Sequence, residues 1–192
     1  MANKIKYGLK SVYYAVATIA NDGTATYTTP VAIPGAVSLS LAAQGETTPF
    51  YADNIAYYTS VTNSGYEGDL EVARLPEAFL KDVLGNYEDA NQVLVEDLNA
   101  EPVHFALMFQ FEGDEHATRH VFYNCVATRP DTESSTKEAN ITPGTERITI
   151  TATSIYNSAL AKDIVKAKTQ EGTQAEAYNT WFTSVYVPTS GA

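Results

Sequence analysis

Residues 33–54 read IPGAVSLSLAAQGETTPFYADN, and this stretch decides the fold class. Its first half alternates apolar and polar residues in the run AVSLSLA. A period of two residues is typical of a strand with one face buried and the other exposed to solvent. The second half is polar and aromatic and ends in the turn-forming dipeptide Asp53-Asn54. The stretch therefore predicts a half-buried strand that leads into a structured polar segment.

Strand signals recur along the rest of the chain. The thirteen tyrosines and the low content of charged residues, 18%, also favour strands. Residues 44–65 contain only short apolar pieces and are interpreted as a long loop or a hairpin. Alternation, or a high content of strand formers, is found at residues 7–19, 66–75, 105–111, 119–128 and 148–153.

Two segments have helical periodicity instead. Pro76 suits the start of a helix, and the apolar stripe that follows it stops at Gly85-Asn86. Tyr178, Trp181 and Val185 indicate a short C-terminal helix. The predicted fold is mainly β, a β-sandwich or β-barrel with a flanking α-helix and a short C-terminal helix, in a single domain over residues 1–192.

Composition excludes several classes of function. The 192 residues include 23 acidic and 12 basic ones, and a net charge of -11 opposes the phosphate attraction that drives nucleic-acid binding. The single cysteine excludes an intramolecular disulfide and favours a reducing compartment. No apolar run of signal-peptide or membrane-spanning length is found, so we expect a soluble protein that stays inside the cell that makes it.

The sequence contains no recognisable enzyme motif. Glycine-rich phosphate loops and Cys-x-x-Cys pairs are missing. His116 and His120 are four residues apart, but a turn separates them and no third ligand is fixed by spacing. His104 is expected on a non-core strand face with Ala106, Met108 and Gln110. Cys125 is expected to be a buried structural thiol. We therefore expect no catalytic residues, no metal and no cofactor.

Adjacent aromatic residues occur in three pairs. Because neighbouring strand residues face opposite sides, one member of each pair is expected to be buried. The pairs are Tyr13-Tyr14, Phe50-Tyr51 and Tyr57-Tyr58.

Glu67, Asp69 and Glu71 form a column of carboxylates on one face of a predicted strand. A solvated outer face is the simplest interpretation. A calcium site is a weak alternative, because residues on the same strand face are about 7 Å apart, too far for one ion to bind all three side chains. A surface that repels polyanions is the third interpretation.

Six segments of the chain carry a family resemblance. They are Tyr7-Gly8-Leu9-Lys10, Val12-Tyr13-Tyr14-Ala15, residues 33–54, Tyr66-Glu67-Gly68-Asp69, the helix after Pro76, and Thr149-Ile150-Thr151-Ala152. Together they resemble the major tail proteins, or tail tube proteins, of long non-contractile-tailed bacteriophages of Gram-positive hosts.

The resemblance implies a non-enzymatic structural protein of the virion tail. It implies homo-hexameric rings, stacked into a tube through which double-stranded DNA passes without specific binding. It also implies tape-measure, tail-terminator and distal tail proteins as partners, assembly in the host cytoplasm and no membrane. In such a tube Glu67, Asp69 and Glu71 would face the lumen and repel DNA.

Residues 44–65 are the predicted inter-subunit or inter-ring element, and residues 130–144 are a second polar loop for assembly. The contact residues expected in the first are Glu46, Thr47, Thr48, Pro49, Phe50, Tyr51, Asp53 and Asn54. The main alternative function is a non-enzymatic β-sandwich binding module for carbohydrate or for adhesion to a host surface. The third possible function is an enzyme, which would need a convergent pocket that the sequence does not indicate.

Overall fold

The computed structural model describes residues 3–136 and 143–190, and most of this part of the chain is β-structure. Within these residues the main sheet has nine strands: β1 (Lys6–Ile19), β2 (Ala25–Tyr27), β3 (Val31–Ile33), β4 (Ala36–Gln44), β7 (Gly65–Val72), β10 (Phe105–Gly113), β11 (Thr118–Ala127), β12 (Glu146–Thr153) and β15 (Lys166–Lys168). The other strands form two-stranded hairpins: β5 (Thr47–Ala52) with β6 (Ile55–Val61), β8 (Tyr87–Glu88) with β9 (Leu94–Val95), and β13 (Ile155–Asn157) with β14 (Lys162–Ile164). The helices are α1 (Glu77–Asp82) and α2 (Ala175–Asn179).

The main sheet is open and antiparallel. Its strands follow the order β2, β1, β10, β11, β12, β7, β4, and β3 and β15 pair additionally with β1 and β11. Among the described strands this path does not close into a barrel. The mainly β prediction is therefore confirmed, and a β-sandwich describes the fold better than a β-barrel.

The first hydrophobic core lies inside the sheet and beneath α1. Leu70 and Ile150 are fully buried there, as the alternation of their strands predicts. They pack in one cluster with Phe105 and Phe109 of β10. Since one cluster collects side chains from strands at both ends of the sheet, the sheet must curve around it.

The helix α1 covers this core and has the predicted limits. Pro76 is its N-cap residue, with an extended backbone conformation, and Gly85 follows its end with φ of 74°. Phe79 is fully buried, and its ring meets those of Tyr14 and Phe105 edge-on at centroid distances of 5.1 and 5.6 Å. Aromatic contacts of this geometry anchor the helix to the sheet.

A second core lies on the opposite face of β10 and β11. Ala106 and Met108 are fully buried there against the C-terminal segment, whose main anchors are Trp181 and Val185. The expectation that this strand face lies outside the core is therefore wrong for Ala106 and Met108. His104, on the same face, is exposed. The C-terminal segment covers this face and contains the short helix α2, as predicted. The helix ends at Asn179, however, so Trp181 and Val185 lie beyond it, outside the helix.

The strands β4 and β7 continue beyond the sheet as a projecting hairpin, which we call the ribbon (residues 45–64). Backbone hydrogen bonds from Ser64 N to Gln44 O, 2.8 Å, and from Thr62 N to Glu46 O, 2.9 Å, join the two parts. Gly65 adopts a φ of 105° at this junction, a conformation that favours glycine. The predicted long loop over residues 44–65 is therefore a hairpin.

Candidate functional site

The carboxylate column lies on the solvent side of β7. Glu67 is exposed, and Asp69 and Glu71 are half-buried. Leu70 and Val72, which alternate with them, are fully buried in the first core. The three carboxylates therefore share one face, as the period of two predicts.

Hydroxyl groups from two neighbouring strands surround this column, because β7 pairs with β4 on one side and β12 on the other. Residues directly opposite each other on paired strands share a face. We call this surface the acidic face; it consists of Ser38, Ser40, Glu67, Asp69, Glu71, Arg147, Thr149 and Thr151.

Glu71 and Asp69 accept hydrogen bonds from these neighbours. Thr145 Oγ1 donates to Glu71 Oε1 at 2.6 Å, and Ser38 Oγ donates to Glu71 Oε2 at 3.0 Å. Thr149 Oγ1 donates to Asp69 Oδ1 at 2.9 Å. These bonds hold the carboxylates in place along the surface.

Electrostatics keep Glu71 ionised. The hydrogen bonds from Thr145 and Ser38 lower its pKa below the ordinary value, and Arg147 Nη2, 3.7 Å from Glu71 Oε2, adds a smaller effect in the same direction. Arg147 is the one cation of the acidic face against three carboxylates. The face is therefore negatively charged, with hydroxyl groups between the charges.

The sequence predicted the column but missed its partners. Ser38 and Thr149 belong to strands whose alternation was recognised, so their exposure was predictable. Their contact with Glu71 and Asp69 was not, because Thr149 and Asp69 are 80 residues apart in the chain. Thr145 lies just before β12, where no pattern marks it.

The ribbon is built on a tight turn. Asp53 and Asn54 both have positive φ, 51° and 63°, which is the geometry of a two-residue type I′ hairpin turn. All eight residues predicted as contact residues, from Glu46 to Asn54 without Ala52, are exposed.

Both faces of the ribbon are apolar and open to solvent. The expectation that one residue of each aromatic pair is buried holds for Tyr13-Tyr14, where Tyr14 is fully buried. It is wrong in the ribbon, since no other part of the described chain forms a second layer on this hairpin. The large exposed side chains are Phe50 (61%), Tyr51 (66%), Ile55 (61%), Tyr57 (70%), Tyr58 (64%) and Val61 (69%).

The second predicted assembly element is residues 130–144, of which residues 137–142 lie outside the described residues. Residues 131–136 have no regular secondary structure and are exposed. Arg129 fixes the start of the segment, because its Nη2 donates to the carbonyls of Asp97 at 3.0 Å and Leu98 at 3.1 Å. Its Nη1 lies 2.8 Å from Glu96 Oε1.

The three histidines do not converge. His104 Nδ1 lies 2.6 Å from Asn124 Oδ1, and the ring of His120 stacks on Phe109 at a centroid distance of 5.1 Å. Over residues 3–136 and 143–190, no group of three or more His, Cys, Asp or Glu side chains is placed to hold a metal. Cys125 is fully buried, and burial raises its pKa to about 12. No helix in the described part of the chain is long and apolar enough to cross a membrane.

The described surface thus offers an acidic face and an apolar ribbon. Comparison with protein families matches the model described as phage tail tube protein over residues 2–190. Comparison with curated proteins gives no match. Since the family match extends over nearly the whole chain, this chain belongs to the phage tail tube proteins, structural components of the virion tail that assemble into a tube.

Proposed function

We propose that this chain polymerises into stacked hexameric rings that form the phage tail tube, a conduit for genome delivery. Self-assembly follows from family membership. The ring number and the stacking are family expectations. The proposed partners are the tape-measure, tail-terminator and distal tail proteins, and the proposed place of assembly is the host cytoplasm.

The observation that carries the proposal is the ribbon. Its six large apolar side chains are each more than 60% exposed, on a hairpin that projects from the sheet. Contiguous apolar surface of this kind marks a protein contact, because the removal of apolar surface from water lowers the free energy. A neighbouring subunit that covers residues 45–64 would bury it.

The free edge of the sheet supports the same assembly. Among the described strands β4 pairs with β7 alone, so its other edge has unpaired backbone groups along nine residues. An open edge invites pairing with another chain, and closure into a ring removes it. We propose that β4 joins the sheet of the next subunit, so that the inner strands of a ring form a continuous barrel.

The acidic face is the proposed lumen wall. It spans β4, β7 and β12, the three strands at the end of the sheet that such a barrel would align. A basic wall would bind phosphate groups and stall the DNA, whereas carboxylates repel them and hydroxyl groups keep the wall hydrated. Glu67, Asp69 and Glu71 would act by preventing adhesion of DNA, which would pass without specific binding.

Negative-stain electron microscopy of the purified chain at high concentration tests the proposal. We expect hollow tubes of stacked rings, formed spontaneously or after addition of isolated tail tips as nuclei. Compact particles under both conditions would contradict it.

The exposed aromatic residues also suit the alternative of a carbohydrate-binding module. Phe50 lies opposite Tyr58 across the hairpin, so both rings are on one face, where a sugar could stack. A glycan array with the unassembled chain separates the two functions. Saturable binding that Tyr58→Ala abolishes would favour the module.

A further inference from the structure

A groove opens at the base of the ribbon, where the first core reaches the surface. Its cavity volume is about 330 Å³. β4 and β7 form one wall, and β10 and β11 form the floor. The apolar lining residues are Leu39, Leu41, Tyr66, Phe109, Phe111 and Phe122.

Lysine side chains stand over the aromatic lining of this groove. Lys166 Nζ lies 4.2 Å from the ring centroid of Tyr66 and 5.7 Å from that of Phe122. Lys6 Nζ lies 5.4 Å from the ring centroid of Phe111. Within the described residues, neither lysine has a carboxylate within ion-pair distance. The groove is thus apolar at its floor and cationic at its rim, in a chain with a net charge of -11.

His120 in the groove adds aromatic surface and no charge. Its ring stacks on Phe109 with an interplanar angle of 6°. Burial, together with the neighbouring charges of Lys168, Lys166 and Lys6, lowers its pKa to about 4. The ring is therefore neutral at physiological pH.

The ribbon has the complementary chemistry. Residues 45–64 contain Glu46 and Asp53 and no lysine, arginine or histidine. The same segment carries the exposed aromatic side chains. Glu46 lies at the base of the ribbon and Asp53 in its turn, so acidic groups lie at both ends of the apolar surface, which fits a groove whose apolar floor has cations at its rim.

A single chain does not bring its ribbon and its groove together. Its ribbon side chains remain 61–70% exposed, so the ribbon is not docked into its own groove. A strand of seven residues such as β6 extends about 23 Å away from its base. The tip of the ribbon therefore lies at a distance from the groove of its own chain and is free to reach another copy.

We propose that the groove is the docking site for the ribbon of a second copy of this chain. The aromatic side chains of the ribbon cover the apolar floor, and Glu46 and Asp53 pair with the lysines at the rim. Ribbon and groove are different surfaces, so the contact is head-to-tail and can be repeated from subunit to subunit, which suits a ring or a stack of rings. This inference rests on the proposed function, since it specifies the contact by which the chain polymerises.

Charge reversal tests the pairing. The groove variant is Lys6→Glu/Lys166→Glu, and the ribbon variant is Glu46→Lys/Asp53→Lys. All four residues are exposed, so both variants are expected to fold. Like charges face each other in either variant alone, and we expect the concentration needed for polymerisation, measured by sedimentation, to rise at least about tenfold.

A mixture of the two variants supplies the decisive measurement. Each acidic ribbon then meets a basic groove of the other variant, and each basic ribbon meets an acidic groove, so an equimolar mixture should polymerise like the original chain. The matched control is Glu77→Lys/Glu101→Lys, which reverses two exposed carboxylates outside the ribbon. Because its ribbon and its groove are unchanged, this control should polymerise by itself like the original chain, which separates the effect of the contact from that of a changed net charge.

The outcomes separate the docking site from the proposed function. If the original chain polymerises and the groove variant does so equally well, the docking site is wrong and the tube proposal stands. Loss of polymerisation that the ribbon variant does not restore would mean that the lysines meet another surface, which also overturns the docking site. An original chain that fails to polymerise, even on tail tips, overturns the tube proposal and the docking site with it.

Photo-crosslinking identifies the contact independently of the charge changes. A benzophenone attached at Tyr57→Cys should link to peptides containing Tyr66 or Lys166 of a second, isotopically labelled copy. The buried Cys125 should not react. Intermolecular links to other surfaces of an assembled tube would contradict the docking site.

Discussion

Tyr14 shows how one residue joins two elements of this fold. Its ring is fully buried against Phe79 of α1, and its hydroxyl donates to Asp82 Oδ2 at 2.8 Å. Burial and this hydrogen bond raise its pKa, so the hydroxyl remains a donor. Its neighbour Tyr13 faces the other side of β1 and stacks on Phe182, with ring centroids 4.9 Å apart. Two adjacent tyrosines thereby fasten two different layers to the same strand.

The thiol of Cys125 is predicted to be inert in the folded protein. Reaction with a thiol reagent needs the thiolate, and burial raises the pKa of Cys125 to about 12. At pH 8 we expect no labelling by a disulfide reagent over hours, and complete labelling of one thiol in denaturant. Native labelling at the rate of a free thiol would show that the first core opens readily.

His120 should make stability fall in mild acid. Its pKa in the folded chain is about 4, below the ordinary value of 6.5, because of burial and of the neighbouring charges of Lys168, Lys166 and Lys6. The unfolded chain then binds more protons between these values, so this contribution to stability is present above pH 6.5 and is lost as the pH falls towards 4. For a partly exposed ring we expect a loss of about 2 kcal/mol.

The measurement is the free energy of unfolding of the unassembled chain by urea, between pH 7 and 4. His120→Phe keeps the stacking on Phe109 and removes the titrating group, so its stability should fall less steeply. Parallel pH profiles of the two proteins would contradict the assignment.

At the scale of elements, β4 and β7 serve two purposes along their length. Within the sheet their apolar side chains pack on the first core, and between them the chain continues as β5 and β6, which form the ribbon without any core of their own. An isolated two-stranded hairpin is marginally stable in water. A neighbouring subunit that covers the ribbon would supply the packing that the hairpin lacks in the single chain.

Removal of the ribbon should leave a folded chain that does not assemble. Residues 45–63 are replaced by an Asn-Gly turn, which connects Gln44 to Ser64, residues already joined by a 2.8 Å backbone hydrogen bond. Neither core contains a side chain from the removed segment. We expect a cooperative unfolding transition, which shows that the chain still folds, and no tubes by electron microscopy.

A milder change serves as a control for this deletion. Phe50→Ser/Tyr58→Ser keeps the hairpin and removes two exposed rings, and it should also weaken assembly. Loss of folding in the truncated chain, or tubes formed without the ribbon, would contradict the role of the ribbon as an assembly element.

At the scale of the whole molecule, charge is unevenly distributed. The chain carries 23 acidic and 12 basic residues, yet lysines gather around the groove and carboxylates line the acidic face. Copies of a uniformly acidic protein would repel one another. A cationic groove for an acidic ribbon offers attraction at the contact while the proposed lumen stays negative.

Reversal of the acidic face should harm DNA delivery more than assembly. In phage carrying Glu67→Lys/Asp69→Lys/Glu71→Lys, a basic lumen would bind the phosphate backbone and slow ejection. We expect tubes of normal appearance and a fall in infectivity of about tenfold or more, with ejection kinetics as the direct measurement.

Two controls accompany this prediction. Glu67→Gln/Asp69→Asn/Glu71→Gln removes the charge at nearly constant volume and should have a smaller effect on delivery. Glu77→Lys/Glu115→Lys/Glu176→Lys makes the same change of charge at exposed positions off the acidic face. Equal loss of infectivity in this last variant would refute a specific lumen role.

How far the fold was predictable differs between elements. The strands β7, β10 and β12 were predictable because alternation reports burial directly, and α1 because Pro76 and Gly85 mark its ends. The burial of Ala106 and Met108 was not predictable, because small or flexible apolar residues beside His104 give no sign that a C-terminal segment will cover them. The exposure of Tyr57 and Tyr58 was missed for the opposite reason, since aromatic residues suggest a core that the ribbon lacks.

The sequence by itself determined the buried faces of β7 and β12, the helix α1, the buried thiol and the family resemblance, because each of these depends on local spacing or on a short run of residues. Only the tertiary structure decided that β7 lies between β4 and β12, that hydroxyl groups flank its carboxylates, and that lysines from β1 and β15 meet over the groove. These arrangements join residues as far apart as Lys6 and Lys166. A periodicity of two residues states which side of a strand is buried, whereas the choice of its neighbours depends on pairing across the whole chain.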